Sequence, residues 1–290
     1  MYFLGDMERK YLLGHLLKVT REVGVSDELR GWSWHKEPLK PYYEVKLPMY
    51  VVSSKYCKSA RDVYLKYVER KKGEITYEMS LGIILHDVVS QVFSCAKNNF
   101  SNLDFKNFWE KRKKEVIGNP EVLKNLAEKI WDFCVVECKA SYLRRETEQP
   151  YASNQDIVQT ALPFLIEHKI SGEFLGLSEI LSIDCYDYLH GIMFDLKHEE
   201  KNEKNRLYPT GYALVFESVY EIPVDVGCIT YVNFRNERLL VDKDMFHIND
   251  NLRSWWVEER DKKFEIVLKE NDPGKPENCP RNCMYYGVCW

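Results

Sequence analysis

Residues 172–198, GEFLGLSEILSIDCYDYLHGIMFDLKH, form two apolar runs separated by a polar break. Large apolar residues dominate 174–183 and again 189–196, and the spacing predicts two strands. Asp184-Cys185-Tyr186-Asp187 supplies turn chemistry between them. Glu179 falls inside the first predicted strand, and Asp195 and Lys197 fall near the end of the second. Side chains alternate across a strand, so Asp195 and Lys197 share a face. A hairpin that sets Glu179 opposite Asp195 gathers two carboxylates and an ammonium in one patch. Carboxylates inside apolar strands cost free energy unless something pairs with them. A divalent cation beside a lysine is one such partner; an edge-strand ion pair is the plainer one.

Upstream, residues 77–97 give the clearest helical pattern. Leu81, Ile84, Leu85, Val88, Val89 and Val92 recur at helical spacing, and His86 lies beside that stripe, four residues after Gly82. A single histidine there reads either as a satisfied core residue or as a metal ligand. Residues 161–171 predict a strand, in which Glu167 and His168 are candidates for supporting groups. Residues 104–148 read as helical and charged, with a basic run at Lys111, Arg112, Lys113 and Lys114. Such a run is a solvated face or a contact for a phosphate backbone. Downstream, 207–219 predicts a helix with Tyr208, Tyr212 and Phe216 four apart. Strands over 226–234 and 238–241 and a helix over 250–269 follow. Strands interleaved with helices predict a mixed α/β domain with a central mixed sheet. The first fifty residues predict a helical arm, with a helix over 6–23, and 51–290 the main domain.

The 290 residues carry a net charge of −4, so any nucleic-acid contact rests on local basic groups rather than on the whole surface. No uninterrupted apolar run reaches membrane-spanning length. The opening residues MYFLGDMERKYLLGHLLK lack the pattern of a secretory signal. A cytoplasmic protein without a membrane partner is the expectation. Nine cysteines, an odd count, point to free thiols or metal ligands rather than to a disulfide framework. Cys279, Cys283 and Cys289 crowd the C-terminal end. Joined by a distant cysteine they suit an iron–sulfur cluster, with zinc as the competitor. Ser53 and Ser54 predict a helix start that puts Cys57 in its first turns.

In order, Cys57 within YCKSARDVYL, Gly82-x-x-x-His86, Glu179, Asp195-x-Lys197, Tyr212 and the three-cysteine tail resemble the CRISPR-associated RecB-like exonucleases. These carry a four-cysteine iron–sulfur cluster, and the chain looks closest to their archaeal type I-A branch. The resemblance runs from about Ser53 to Trp290. It implies a restriction-endonuclease-like core and a Mn²⁺ or Mg²⁺ site at His86, Glu179, Asp195 and the Leu196 carbonyl. Lys197 is then catalytic, and Tyr208 and Tyr212 bind substrate. It also implies a cluster, [4Fe–4S], on Cys57, Cys279, Cys283 and Cys289. The implied activity is exonucleolytic trimming of single-stranded DNA ends during spacer acquisition, beside the CRISPR integrase and other adaptation proteins, in a possible oligomer. The sequence departs from the family pattern at Glu179 for aspartate, Asp195 for glutamate, Tyr208 for glutamine, and a C-x-x-x-C tail. These departures favour, as the alternative, a non-catalytic iron–sulfur scaffold of the acquisition complex.

Overall fold

The computed structural model describes every residue except Tyr43, Lys55, Glu237, Pro280 and Asn282. Its centre is a five-stranded sheet in the order β1-β2-β3-β4-β5. The strands are β1 (Phe164–Ile170), β2 (Leu181–Asp187), β3 (Ile192–Lys197), β4 (Val226–Arg235) and β5 (Arg238–His247). The first three pair antiparallel, β3 and β4 run parallel, and β4 and β5 pair antiparallel. A parallel pair needs a crossover, supplied here by helix α9 (Leu207–Tyr220).

Helices cover both faces. On one lie α5 (Tyr77–Asn98) and α7 (Pro120–Glu148). Thr76 caps α5 by accepting the Met79 N–H, and Asn119 caps α7 ahead of Pro120 at its first position. The stripe from Leu81 to Val92 packs with Phe164, Phe194 and Leu196. By length and hydropathy α5 has the make-up of a membrane span, but its apolar residues close onto this core. On the other face, α9 and α10 (Asp250–Leu268) bury Leu214, Phe216, Trp256 and Phe264 against Ile183, Met193 and Ile229.

The N-terminal arm is woven into both cores. Helices α1 (Asp6–Tyr11) and α2 (Leu17–Val23) join through a π turn at Leu12–Leu16. Tyr2 packs against Phe93, Phe164 and Phe194. Arg30 reaches the fully buried Glu217, which Arg253 also grips at 2.7 and 2.9 Å.

The central hairpin turns four residues later than the sequence suggests. Cys185 and Tyr186 are buried strand residues. The turn is 188–191, with Gly191 at φ 67°. Asp187 shapes it: its Oδ1 accepts the backbone N–H groups of Leu189 and His190 at 2.9 and 3.1 Å. Residues 174–178 are not strand: Glu173–Leu175 is a single 3₁₀ turn. Helix α3 (Met49–Val52) ends before the two serines, and α4 (Arg61–Tyr67) starts after Cys57, so Cys57 sits in the loop between them.

Candidate active site

The shift of the turn moves Asp184 from a loop into β2. The β2–β3 register pairs Cys185 with Phe194 and Tyr186 with Met193, so the position facing Asp195 belongs to Asp184. Glu179 lies in an exposed bend before β2, and its charge acts on Lys46. It is therefore not the carboxylate opposite Asp195.

Three groups from three elements, His86, Glu167 and Asp184, converge here. His86 Nδ1 on α5 is 3.6 Å from Asp184 Oδ1 and 3.9 Å from Glu167 Oε1 on β1. The donor atoms of His86, Glu167 and Asp184 all lie within 4.8 Å of one another. Each side chain is partly open to solvent. Neighbours fix the carboxylates. Asp184 Oδ2 accepts the Leu196 N–H at 2.9 Å, which leaves Oδ1 toward His86. Glu167 Oε2 accepts from Ser182 Oγ at 2.6 Å, which leaves Oε1 toward His86.

The strands are irregular at this point. Along β1, Phe164 and Ile166 face the first core but Ile170 faces the second. Along β2, Leu181 and Ile183 face the second core but Cys185 faces the first. Strict alternation forbids both patterns. The slips fall at Glu167 and Asp184, and Glu167 has φ 47°. A left-handed backbone at a non-glycine residue costs about 1–3 kcal/mol and persists where surroundings enforce it.

Asp195 and Lys197 line the adjoining space on the α9 side. Asp195 is 2% exposed. Its Oδ2 lies 3.0 Å from Lys197 Nζ, yet it makes no aligned hydrogen bond. Burial is the largest influence on the Asp195 carboxyl and lifts it to about 7; Lys197 opposes this and Asp184 adds to it. Mutual repulsion between the Asp195 and Asp184 carboxylates is secondary. For Lys197, burial alone would lower the ammonium, but Asp195, Tyr208 and Asp184 together outweigh it and the pKa rises. The ammonium also sits 3.6 Å over the Tyr208 ring. Burial first, then Lys197 in opposition, leaves the Tyr208 phenol pushed up to about 12. Tyr212 is raised well above its ordinary value by burial and then by Asp184 and Asp195. The basic run at 111–114 is largely engaged locally, Arg112 with Asp87 and Glu115 and Lys113 with Glu110.

A second cluster forms from the cysteines. The Cys279 thiol is pushed up to about 11 by burial first and then by Cys283, Cys289 and Cys57, so four thiols from opposite ends of the chain share one neighbourhood. Arg61 ties the tail to α4, chelating Asp272 and reaching Cys289 Sγ at 3.7 Å. Cys134, Cys138, Cys185 and Cys228 lie instead in the first core. Cys95 accepts a hydrogen bond from Gln91 on α5.

Comparison with known proteins gives a consistent result. The family model for "CRISPR-associated exonuclease Csa1" matches residues 1–290. A CRISPR-associated exonuclease Csa1 of Saccharolobus solfataricus is 29% identical over 278 residues, covering 91% of this chain and 92% of that protein. Its counterpart from Thermoproteus tenax is 26% identical over 273 residues, covering 94% of each chain.

Proposed function

The chain belongs to the CRISPR-associated exonuclease Csa1 family, and from that premise we propose that it is a divalent-metal-dependent DNA exonuclease that trims single-stranded ends during spacer acquisition. The observation that carries this reading is the convergence of His86, Glu167 and Asp184 beside Asp195 and Lys197. A helix, three antiparallel strands of which the second and third bear Asp184 and Asp195-x-Lys197, a crossover helix and a strand parallel to the third are also the order expected of a restriction-endonuclease-like nuclease core.

The donor set fits Mg²⁺ or Mn²⁺. Carboxylate oxygens suit both, and an imidazole favours Mn²⁺. Asp195 Oδ2, buried without an aligned hydrogen bond, is the kind of atom a cation would satisfy. His86, Glu167, Asp184 and Asp195 would hold the ion, with the Leu196 carbonyl on the strand edge that Asp184 already contacts. When bound, such an ion polarises a phosphodiester and lowers the pKa of a neighbouring water. Lys197, held between Asp195 and the Tyr208 face, offsets negative charge developing on the phosphate oxygens. Tyr208 takes the place of the family's glutamine, and its role here is to fix the lysine. Tyr212 closes the α9 wall and shields these charges from water, which strengthens them.

The four thiols fit an iron–sulfur cluster. A single zinc ion is the competing occupant for four thiolates. The cluster's role in this reading is structural, clamping the 52–57 segment to the C-terminal tail.

The test is a paired purification. Wild-type protein should degrade end-labelled single-stranded DNA in Mn²⁺ and stop in chelator, and iron and sulfide should be measurable in it. Cys279→Ser should lose the iron and unfold at lower temperature, because ligand binding and folding are coupled. Iron-bearing, folded protein with no DNA degradation would favour the scaffold reading.

A further inference from the structure

The loop that carries Cys57 also touches the nuclease site. Tyr56, the preceding residue, donates from its hydroxyl to Glu199 Oε2 at 2.9 Å, across 143 positions of sequence. Glu199 follows Lys197 by two residues, where the chain leaves β3. The Tyr56 ring itself is more than half exposed, so its hydroxyl is placed on Glu199 without being part of the core. Upstream, the buried Ser53 hydroxyl donates to the Leu207 carbonyl at 3.3 Å, directly before Tyr208. Lys263 donates to the Val52 and Ser54 carbonyls at 2.5 and 3.3 Å, anchoring the same segment to α10. One short stretch of chain therefore ends at Cys57 and contacts both the residue before Tyr208, whose ring lies under Lys197, and Glu199, two residues beyond Lys197.

We propose that Tyr56 is a positioning residue that couples the cysteine site to the nuclease site, holding Glu199 and thereby the end of β3 that presents Lys197. The proposal rests on the reading of both sites given above. Its physical content is a shared lever. When the thiols are bound, the 52–57 segment is fixed, Tyr56 reaches Glu199, and β3 ends in one conformation. When they are not, the lever loosens and the nuclease site loses its preorganisation. Coupling between two sites is reciprocal for binding, so filling the nuclease site must in turn stabilise the metal held by the cysteines.

That reciprocity gives a readout independent of DNA cleavage. Metal is withdrawn from the purified holoprotein with a chelator that binds iron or zinc but not magnesium, and the released metal is measured with and without saturating Mg²⁺. At equilibrium in wild type, Mg²⁺ should raise the chelator concentration needed for half-withdrawal by about fivefold or more, the lower end of ordinary site-to-site coupling. In Tyr56→Phe, which keeps the ring and loses the hydroxyl, the protection should vanish while metal content and thermal midpoint stay at wild-type values. Glu199→Ala should do the same, and the double variant should be no worse than either single one. With DNA, Tyr56→Phe should lower kcat and leave KM unchanged. Equal Mg²⁺ protection in wild type and both variants overturns the proposal, as does wild type without any Mg²⁺ effect. Cysteines that hold no metal after anaerobic purification sink the cysteine reading, and full activity in Asp184→Asn sinks the nuclease reading. Each of those also removes the basis of the coupling, and each is recognisable separately from a failure of Tyr56 alone.

Discussion

Replacing Asp184 by asparagine and Glu179 by glutamine separates the two candidates for the carboxylate opposite Asp195. In Asp184→Asn the side chain keeps an oxygen to accept the Leu196 N–H now bound at 2.9 Å. Stability should therefore change by no more than about 1 kcal/mol, whereas alanine, which strands that N–H, should cost about 1–3 kcal/mol. What asparagine removes is the negative charge shared by His86, Glu167 and Asp184. Charge stabilisation at a metal site supplies several kcal/mol to the transition state, and a loss of about 4 kcal/mol slows turnover roughly 10³-fold. Glu179 is exposed in a bend, where a substitution should change stability by no more than about 0.5 kcal/mol and leave turnover at the wild-type level. The assay is single-turnover degradation of end-labelled single-stranded DNA in Mn²⁺, with all three proteins purified in parallel so that a contaminating nuclease shows equally in each. Equal damage from Glu179→Gln and Asp184→Asn would refute the assignment of Asp184. Undiminished activity in Asp184→Asn would refute the site itself.

Three further outcomes follow from the same geometry. Burial lifts the Asp195 carboxyl from 3.8 to about 7, so between those values the folded state binds a proton that the unfolded state has released, and metal-free stability must fall as pH rises through that window. The difference in urea stability between wild type and Asp195→Asn should shift against wild type from pH ~5 to pH ~8, by at most about 3 kcal/mol; a difference that stays flat, or Mn²⁺ that fails to restore wild type at the higher pH, contradicts this. Glu217→Gln removes the carboxylate charge that the buried Arg253 and Arg30 share within 2.9 Å, leaving them Asp225 and backbone carbonyls; denaturation should show a loss of up to about 3 kcal/mol, with unchanged cleavage per folded molecule. Glu167→Gly relieves the left-handed backbone at φ 47° and deletes a ligand, so a thermal midpoint held or raised should accompany weakened Mn²⁺ dependence, and full activity would exclude Glu167 from the metal site.

Much of this is legible in the sequence because periodicity reports burial. The α5 stripe, the aromatic face of α9 and the alternation of β3 each reflect one element against one layer, and counting in twos places Asp195 and Lys197 correctly. The tail cysteines are legible because density of one soft ligand type is a chemical signal on its own. Asp184 is not, for a physical reason. Asp-Cys-Tyr-Asp has the composition of a turn, yet Cys185 and Tyr186 are buried, and only tertiary packing decides between the two outcomes. The true turn, Tyr188-Leu189-His190-Gly191, carries its signal in a single glycine and in the capping carboxylate of Asp187. Glu179 reads as a strand residue because the run around it is apolar; Leu175 and Leu177 are indeed buried, but from a 3₁₀ turn and a single bridge to Leu47. Cys57 reads as a helical residue because Ser53 resembles a cap, whereas the Ser53 hydroxyl is used on Leu207.

The irregularity at Glu167 and Asp184 explains why the site stands where it does. His86 belongs to the layer of α5, and Tyr208 and Tyr212 belong to the layer of α9, on opposite faces of the sheet. A regular sheet would keep them apart, since a strand residue serves one face or the other. Here β1 and β2 slip phase at facing positions, and the β2–β3 ladder ends at Cys185 and Phe194. Beyond that pair a side chain, Asp184, rather than a backbone carbonyl accepts the Leu196 N–H. One carboxylate thus spans the gap, with Oδ2 on β3 and Oδ1 toward His86. The strain held in Glu167 and the buried Asp195–Lys197 pair are the same feature seen from two strands: a sheet opened at one end so that charged side chains from both layers reach a common point.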